Sequence, residues 1–321
     1  MRITDNINTE LRIRITGAIV RAFVGVFIIR ILNSILSDDF TYYEMALSFA
    51  VKLTMIFDFQ ANTFLFNEIA KRGRITKQLL HVQLFALIGV IIFSSLFAYK
   101  VEIPIGKPLI ALLFTAVYIN VILHKYMAAV KLSKMSELIK TGERVFFILS
   151  LMSLVVLAYS SINYVFLTLL LSLSIFITCG LIFSRIKLSH DKEEGLFERS
   201  IRFVAPLLLY NIFAVLSEIY IRSSALTDIR DAYEVSTAFR LIALPALIVT
   251  AVMPVVSRNI LKNEHFNSRA LLLCFTVFCA LFALALGSFC QVMGFKEPSP
   301  LMRTAIFLVP LFTVAIQYLA V

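Results

Sequence analysis

Charged residues are scarce in this chain of 321 residues: Asp, Glu, Lys and Arg make up 16% of it, against about 25% in a typical soluble domain. Tryptophan is absent, hydrophobic residues make up 60%, and the mean hydropathy is +0.90. The few charges and the excess of apolar residues exclude a soluble enzyme, a secreted disulfide scaffold and a disordered tail.

Cysteine is also rare, and its placement excludes a metal or disulfide framework. The four cysteines lie inside apolar runs and form no CxxC pair or Cys/His cluster, so free thiols packed as small hydrophobes are expected. The four histidines are dispersed, and GxSxG, Walker, GxGxxG and HExxH motifs are missing. The chain is therefore predicted to be no enzyme and to hold no metal or cofactor, and no ATP-binding domain is attached to it.

Long apolar stretches are what the sequence does contain. Several are about 20 residues long, the length that a helix needs to cross ~30 Å of hydrocarbon. We therefore predict an all-α, polytopic integral membrane protein with about ten transmembrane helices. Their predicted ranges are 15–36, 41–66, 79–99, 108–130, 145–160, 162–183, 203–222, 234–257, 270–293 and 302–321.

Basic residues predict the orientation of these helices. Most of the Lys and Arg residues in the predicted loops fall on one side, which the positive-inside rule assigns to the cytoplasm. The N-terminus is then cytoplasmic, and the net charge of +10 needs no nucleic-acid partner. This side holds Arg2, Arg12, Arg14, Lys71, Arg72, Arg74, Lys77, Lys131, Lys134, Lys140, Arg144, Arg185, Lys187, Lys192, Arg199, Arg202, Arg258, Lys262 and Arg269.

The longest polar stretch suggests a division into two lobes. Residues 185–202 form a basic cytoplasmic linker between a six-helix lobe (1–184) and a four-helix, incomplete lobe (203–321). The last predicted helix is still apolar at Val321. Either it ends flush with the membrane or further helices are missing.

Ionisable residues inside the predicted spans are the candidate functional residues, because each costs on the order of 2.5–3.5 kcal/mol to insert. Depth along the helices predicts three ion pairs, and it leaves Lys52 near the midplane without an obvious partner. The pairs are Arg21 with Asp58, Arg30 with Glu44, and Glu218 with Arg240. His124 and Lys125 lie nearer a helix end, where snorkelling explains them.

These charges allow two interpretations. They are either buried ion pairs that hold helices together, or the lining of a cationic, water-filled cavity that attracts an anion. Three prolines within apolar runs are similarly ambiguous, since each is either a hinge or a plain kink. They are Pro206, Pro245 and Pro254.

Three stretches carry a resemblance to a known family: Ile56–Gly73, Phe203–Leu207 and Tyr233–Ser257. The first has an Asp at a helix end followed by a Glu and a basic loop. The second begins a helix after a basic loop, and the third contains Phe239-Arg240-Leu241 and two prolines. Together they resemble the polysaccharide (O-antigen) flippases of the multidrug/oligosaccharidyl-lipid/polysaccharide exporter superfamily.

This resemblance implies a fold, a substrate and a location. Two helical bundles would form a V around a central cavity in the bacterial inner membrane. An undecaprenyl-pyrophosphate-linked oligosaccharide would cross it from the cytoplasmic to the periplasmic leaflet by alternating access. Since the family usually has twelve to fourteen helices, the chain would be truncated at its C-terminus. Other polysaccharide-assembly membrane proteins are candidate partners.

The same resemblance suggests roles for the charges at depth. Arginine and lysine suit a pyrophosphate head group, so Arg21, Lys52 and Arg240, with Arg30 behind them, are expected to bind substrate. Burial favours a neutral carboxyl group, so Asp58, Glu44 and Glu218 are candidates for carrying a coupling proton.

Two other functions stay open. A drug/metabolite exporter of a small anionic solute has a similar size, but it would be built from two five-helix inverted repeats. A membrane glycan polymerase usually needs a large periplasmic loop, whereas the predicted outer loops here are short.

Overall fold

A computed structural model describes residues 2–59, 61–184, 188–189, 195–196, 198–205, 208, 212–213, 216, 251–258, 268–293, 304 and 308. The described chain is almost entirely helical, which confirms the all-α, multi-pass membrane class. The helices are α1 (Arg2–Leu36), α2 (Phe40–Phe57), α3 (Ala61–Arg72), α4 (Lys77–Lys100), α5 (Lys107–Ala129), α6 (Ser133–Val156), α7 (Ile162–Ser184) and α8 (Ser268–Met293), and residues 198–205 and 251–258 are also helical.

Four helices in the described part are long and apolar enough to cross a bilayer. They comprise Thr9–Leu36 of α1 and the whole of α4, α5 and α7. The chain divides into two compact units, one of Met1–Ala22 with Tyr233–Val321 and one of Phe23–Ala232. The predicted linker 185–202 falls within the second unit, so the two-lobe division stays a prediction.

Helix α5 is the centre of the unit Phe23–Ala232. It packs against α2, α3, α4, α6 and α7, and its side chains Ile110, Leu113 and Phe114 are buried. Small residues let the neighbouring helices approach closely. A Cβ atom on Gly142 of α6 would lie 2.6 Å from the ring of Phe176 on α7.

Two strands of two residues each tie the loops together at one end of this unit. Strand β1 (Ile75–Thr76) precedes α4 and pairs in parallel with β2 (Leu188–Ser189), which follows α7. The pairing fixes the chain between α3 and α4 against the chain that leaves α7.

The predicted second span, 41–66, is wrong as one helix. Helix α2 ends at Phe57 and α3 begins at Ala61, because Phe59 adopts a left-handed backbone with φ +50° and Asp58 caps the new helix.

The predicted fifth span, 145–160, is also misplaced. Helix α6 begins at Ser133 and ends at Val156, and Ala158 with φ +57° follows its end. Lys140 and Arg144, which were expected in a loop, are therefore helical. The polar first half of α6 is tolerated because its side chains find partners inside the bundle. The predicted spans 203–222, 234–257 and 302–321 lie largely or wholly outside the described residues.

Candidate functional site

A buried carboxylate marks the break between α2 and α3. Asp58 is 0% exposed, and its backbone N–H donates to the Thr54 carbonyl at 3.0 Å, which closes α2. Its Oδ2 accepts from the backbone N–H of Asn62 at 3.4 Å and from the Asn62 side-chain amide. One side chain thus ends one helix and caps the next.

Helices α4 and α5 supply polar side chains to the same break. The Gln83 amide donates to the Ala61 carbonyl at 2.7 Å, which satisfies a backbone group at the start of α3. The Tyr118 hydroxyl in turn donates to Gln83 Oε1 at 3.2 Å. Both residues are buried, so the chain of hydrogen bonds runs through the interior of the unit.

Lys125 completes this group from the other end of α5. Lys125 lies seven residues beyond Tyr118 on the same face of α5. Lys125 Nζ also lies 5.6 Å from the centre of the Phe66 ring, within cation–π range. We name these five residues the break cluster: Asp58, Asn62, Gln83, Tyr118 and Lys125.

Aromatic rings pack against the end of α2. Phe57 stacks on Phe93 and Phe114 with ring centroids 5.5 and 5.9 Å apart. A Cβ atom on Gly89 would lie 3.1 Å from the Phe57 carbonyl oxygen, so α4 packs directly against the backbone at the break.

A second polar group joins α5, α6 and α7. The Asn120 amide donates to Glu143 Oε2 at 3.2 Å, and the Ser172 hydroxyl donates to the Glu143 carbonyl at 2.8 Å. His124 Nδ1 lies 3.0 Å from the Ser136 hydroxyl. The Oδ1 atom of Asn120 is buried with no hydrogen-bond partner in the part of the chain that the structure describes. We name Asn120, His124, Ser136 and Glu143 the α5–α6 cluster.

Glu143 is half-buried and lies near the middle of α6, about 15 Å along the helix from Ser133. The neighbouring Glu137 pairs with Lys140 at 3.7 Å. A Cβ atom on Gly25 of α1 would lie 3.0 Å from the Arg144 guanidinium, so this cation also faces inward.

The two clusters occupy different faces of α5. Tyr118 and Lys125 are seven residues apart and share one face, while Asn120 and His124 are four apart and share another. Helix α5 therefore carries polar side chains to two sets of neighbours.

The unit Met1–Ala22 with Tyr233–Val321 contains a buried ionic triad. The Arg258 guanidinium donates to both carboxylate oxygens of Glu10, at 3.1 Å to Oε1 and through a second bond to Oε2. Arg14 Nε donates to Glu10 Oε1 at 3.2 Å. Both arginines are 1% exposed. We name Glu10, Arg14 and Arg258 the arginine triad, and its formal charge is positive.

Buried charges differ between the two units. Among the described residues, the buried cations belong to the unit with the arginine triad, and the buried carboxylates belong to Phe23–Ala232. The cations are Arg14, Arg21 and Arg258, and the carboxylates are Glu44, Asp58, Glu68 and Glu137.

The described residues of the predicted cation site differ in their burial. Arg21 is buried, but Lys52 is only half-buried and is not without a partner, contrary to the expectation of an unpaired cation. Arg30 is exposed on α1 while Glu44 is buried, which does not favour their predicted pair. The pair of Arg21 with Asp58 joins residues of different units and stays a prediction.

The other predicted residues are described only in part. Pro254 is half-buried within the helical residues 251–258, and its predicted role as a hinge stays a prediction. Arg240, Glu218, Pro206 and Pro245 lie outside the described residues.

The sequence does not predict several of these site residues. It places Arg14 and Arg258 in loops because they flank apolar runs, and its fifth predicted span, 145–160, begins after Glu143. A seven-residue spacing of Tyr118 and Lys125 on an apolar helix was a usable signal for the break cluster.

No cluster of His, Cys, Asp or Glu residues in the described ranges could hold a metal ion. Cys179 and Cys279 are free thiols, and Cys279 is buried.

Comparison with known proteins gives one structural neighbour. No family model matches the chain, and no curated protein is similar to it in sequence. A solved structure described as an outward-facing conformation of a multidrug resistance MATE family transporter of the MOP superfamily is similar in fold, with a TM-score of 0.62. It is 12% identical, and the match covers 98% of this chain and 80% of the neighbour. The chain thus shares its fold with this neighbour.

Proposed function

We propose that this chain is a membrane transporter that carries an undecaprenyl-pyrophosphate-linked oligosaccharide from the cytoplasmic to the periplasmic leaflet by alternating access. The fold that the chain shares with a solved transporter supports its assignment as a membrane transporter. The arginine triad supports the anionic, lipid-linked substrate, because it brings two buried guanidinium groups together on the carboxylate of Glu10.

A pyrophosphate head group suits such a site. Guanidinium groups bind phosphate oxygens through paired, charge-assisted hydrogen bonds. In the structure, Glu10 occupies these donors on Arg14 and Arg258. A substrate phosphate would compete with Glu10 for the same donors. Arg21, Lys52, Arg240 and Arg30 remain the further candidates for contact with substrate.

Energy for transport would enter through buried carboxyl groups. Asp58 and Glu44 are buried in the unit Phe23–Ala232, and Asp58 links the end of α2 to the start of α3. A proton taken up by Asp58 would remove the negative charge that accepts the hydrogen bonds of Asn62. Glu218 is the third candidate from the sequence.

Export of a small solute is the second candidate function. The structural neighbour is described as a multidrug resistance transporter, and the buried carboxylates of Phe23–Ala232 suit a solute with a positive group. The drug/metabolite alternative predicted an anionic solute instead, which the arginine triad would suit. Identification of the substrate would therefore distinguish these functions, whereas the fold is compatible with each of them.

Reconstituted protein tests the proposal directly. Proteoliposomes would carry the full chain and a fluorescent undecaprenyl-pyrophosphate oligosaccharide, and flipping would be measured by quenching from outside. The double variant Glu10→Gln/Arg258→Gln removes both charges of the main pair but keeps polar groups, and we expect at least a tenfold slower rate. Arg202→Gln, which breaks an exposed pair with Glu198, is the control and should flip at the normal rate.

Two results would contradict the proposal. Normal flipping by the folded double variant would show that the arginine triad does not contact the substrate. Efflux of a small organic ion from the same vesicles, with no flipping of the lipid, would favour the second function.

In cells, Arg21→Ala or Lys52→Ala should abolish surface polysaccharide while the protein stays in the membrane.

A further inference from the structure

Four exposed cations surround the turn between α3 and α4. They lie within seven residues of one another, and the structure leaves each side chain exposed. We name them the basic rim: Lys71, Arg72, Arg74 and Lys77.

The turn that carries the basic rim is firmly built. Gly73, with φ +74°, ends α3 and donates its N–H to the Ile69 carbonyl at 2.6 Å. Thr76 starts α4 by accepting from the Leu79 N–H at 3.3 Å. Ile75 and Thr76 are buried and paired with β2. The cations on either side of this strand are therefore held outward.

Few carboxylates oppose these cations. Glu68 pairs with Arg72 at 3.1 Å, and no Asp or Glu follows along the chain until Glu102. The basic rim therefore has four cations, and Glu68 is the one carboxylate between Asp58 and Glu102 in the sequence.

Lys77 continues into an exposed apolar face of α4. Leu80, Leu84, Ile88 and Ile91 follow it at helical spacing on one face, and all four are exposed. Phe85 beside them is 75% exposed. From Lys77 to Ile91 this apolar strip extends about 21 Å, which exceeds the ~15 Å depth of one hydrocarbon leaflet.

We propose that the basic rim and the apolar strip of α4 together bind an anionic glycerophospholipid. Its phosphate would lie against Lys71 and Lys77, and an acyl chain would lie along the face from Leu80 to Ile91. Charge at one end and continuous apolar surface below it match the two parts of such a lipid. The proposal is independent of the transported substrate.

Native mass spectrometry of the detergent-purified full chain tests this site, with phosphatidylglycerol as the probe and phosphatidylcholine as the neutral comparison. A lysine near an anionic lipid contributes about a fivefold change in affinity. Lys71→Gln/Lys77→Gln should therefore bind phosphatidylglycerol about 25-fold more weakly. Both side chains are exposed, so the variant should fold normally.

The matched control removes two exposed lysines from the turn between α5 and α6. Lys131→Gln/Lys134→Gln makes the same change in net charge, and its affinity should stay within about twofold of the parent. An equal loss in both variants would show generic attraction and overturn the site. Equal binding of phosphatidylcholine, or displacement of the lipid by inorganic phosphate alone, would overturn it as well.

Discussion

Glu10 accepts hydrogen bonds from two guanidinium groups. Removal of one of these groups should lower the free energy of unfolding measurably. Arg258→Ala leaves the Glu10 carboxylate half-satisfied among buried groups. Breaking a buried pair from one side costs about 3 kcal/mol. We expect a loss of this size in the free energy of unfolding, measured by denaturant titration in detergent micelles.

The exposed pair of Arg202 with Glu198 is the natural control for that measurement. Its side chains are 78% and 67% exposed, and pairs in water contribute less than about 1 kcal/mol. A loss from Arg202→Ala as large as that from Arg258→Ala would contradict the structural difference between the two pairs.

Single residues also show where the sequence was informative. Asp58 and Arg21 were identified as ionisable groups at depth from hydropathy alone, and both are buried. Arg14 and Arg258 were not, because a side chain at the edge of an apolar run looks the same whether it points to water or to a carboxylate. Glu10 decides between them, and it lies one helical turn from Arg14 but 248 residues from Arg258.

Whole elements depend on the Asp58 break. In Asp58→Ala, α3 loses its cap and the Asn62 amide loses its acceptor, so we expect a loss of about 2 kcal/mol. Asp58→Asn retains an oxygen acceptor and should lose less than half of that. Thermal unfolding of the two variants in the same detergent measures the difference. Equal stability of both would contradict the capping role.

Helix α6 tests close packing at a second element. Gly142→Leu forces a side chain into the Phe176 ring, which a Cβ atom alone would approach to 2.6 Å. Overpacking of this kind costs about 1–3 kcal/mol, and the melting temperature should fall. Ser153→Leu places the same side chain on the exposed face of α6 and should change it little. A normal melting temperature for Gly142→Leu would mean that α6 and α7 are farther apart at Gly142 than in the structure.

The elements themselves were predictable to different degrees. Spans such as 79–99 and 162–183 match α4 and α7 because uninterrupted apolar residues dominate them. The predicted span 145–160 misses the first half of α6, because Glu137, Lys140 and Glu143 are charged residues of the kind found in loops. Their cost is offset by partners on α5 and within α6 itself, and such pairing cannot be seen in a hydropathy pattern.

At the scale of the whole molecule, charge distribution predicts how the chain lies in the membrane. The turns at 71–77 and 131–134 together carry six exposed cations, four in the first and two in the second, whereas the turn between α4 and α5 carries two, Lys100 and Lys107, beside Glu102. One crossing, through α4, separates the turn between α4 and α5 from 71–77, and one crossing, through α5, separates it from 131–134. The positive-inside rule therefore assigns 71–77 and 131–134 to the cytoplasm.

Cysteine labelling tests this orientation. Lys107→Cys should react with a membrane-impermeant maleimide in intact cells, whereas Lys71→Cys and Lys131→Cys should react only after the membrane is permeabilised. The parent chain, which carries Cys179, Cys274, Cys279 and Cys290, is the control, and its background labelling is subtracted from that of each variant. Labelling of Lys71→Cys from outside would reverse the orientation. Because the proposed transport runs from the cytoplasmic leaflet outward, that result would also reverse the direction in which the substrate is carried.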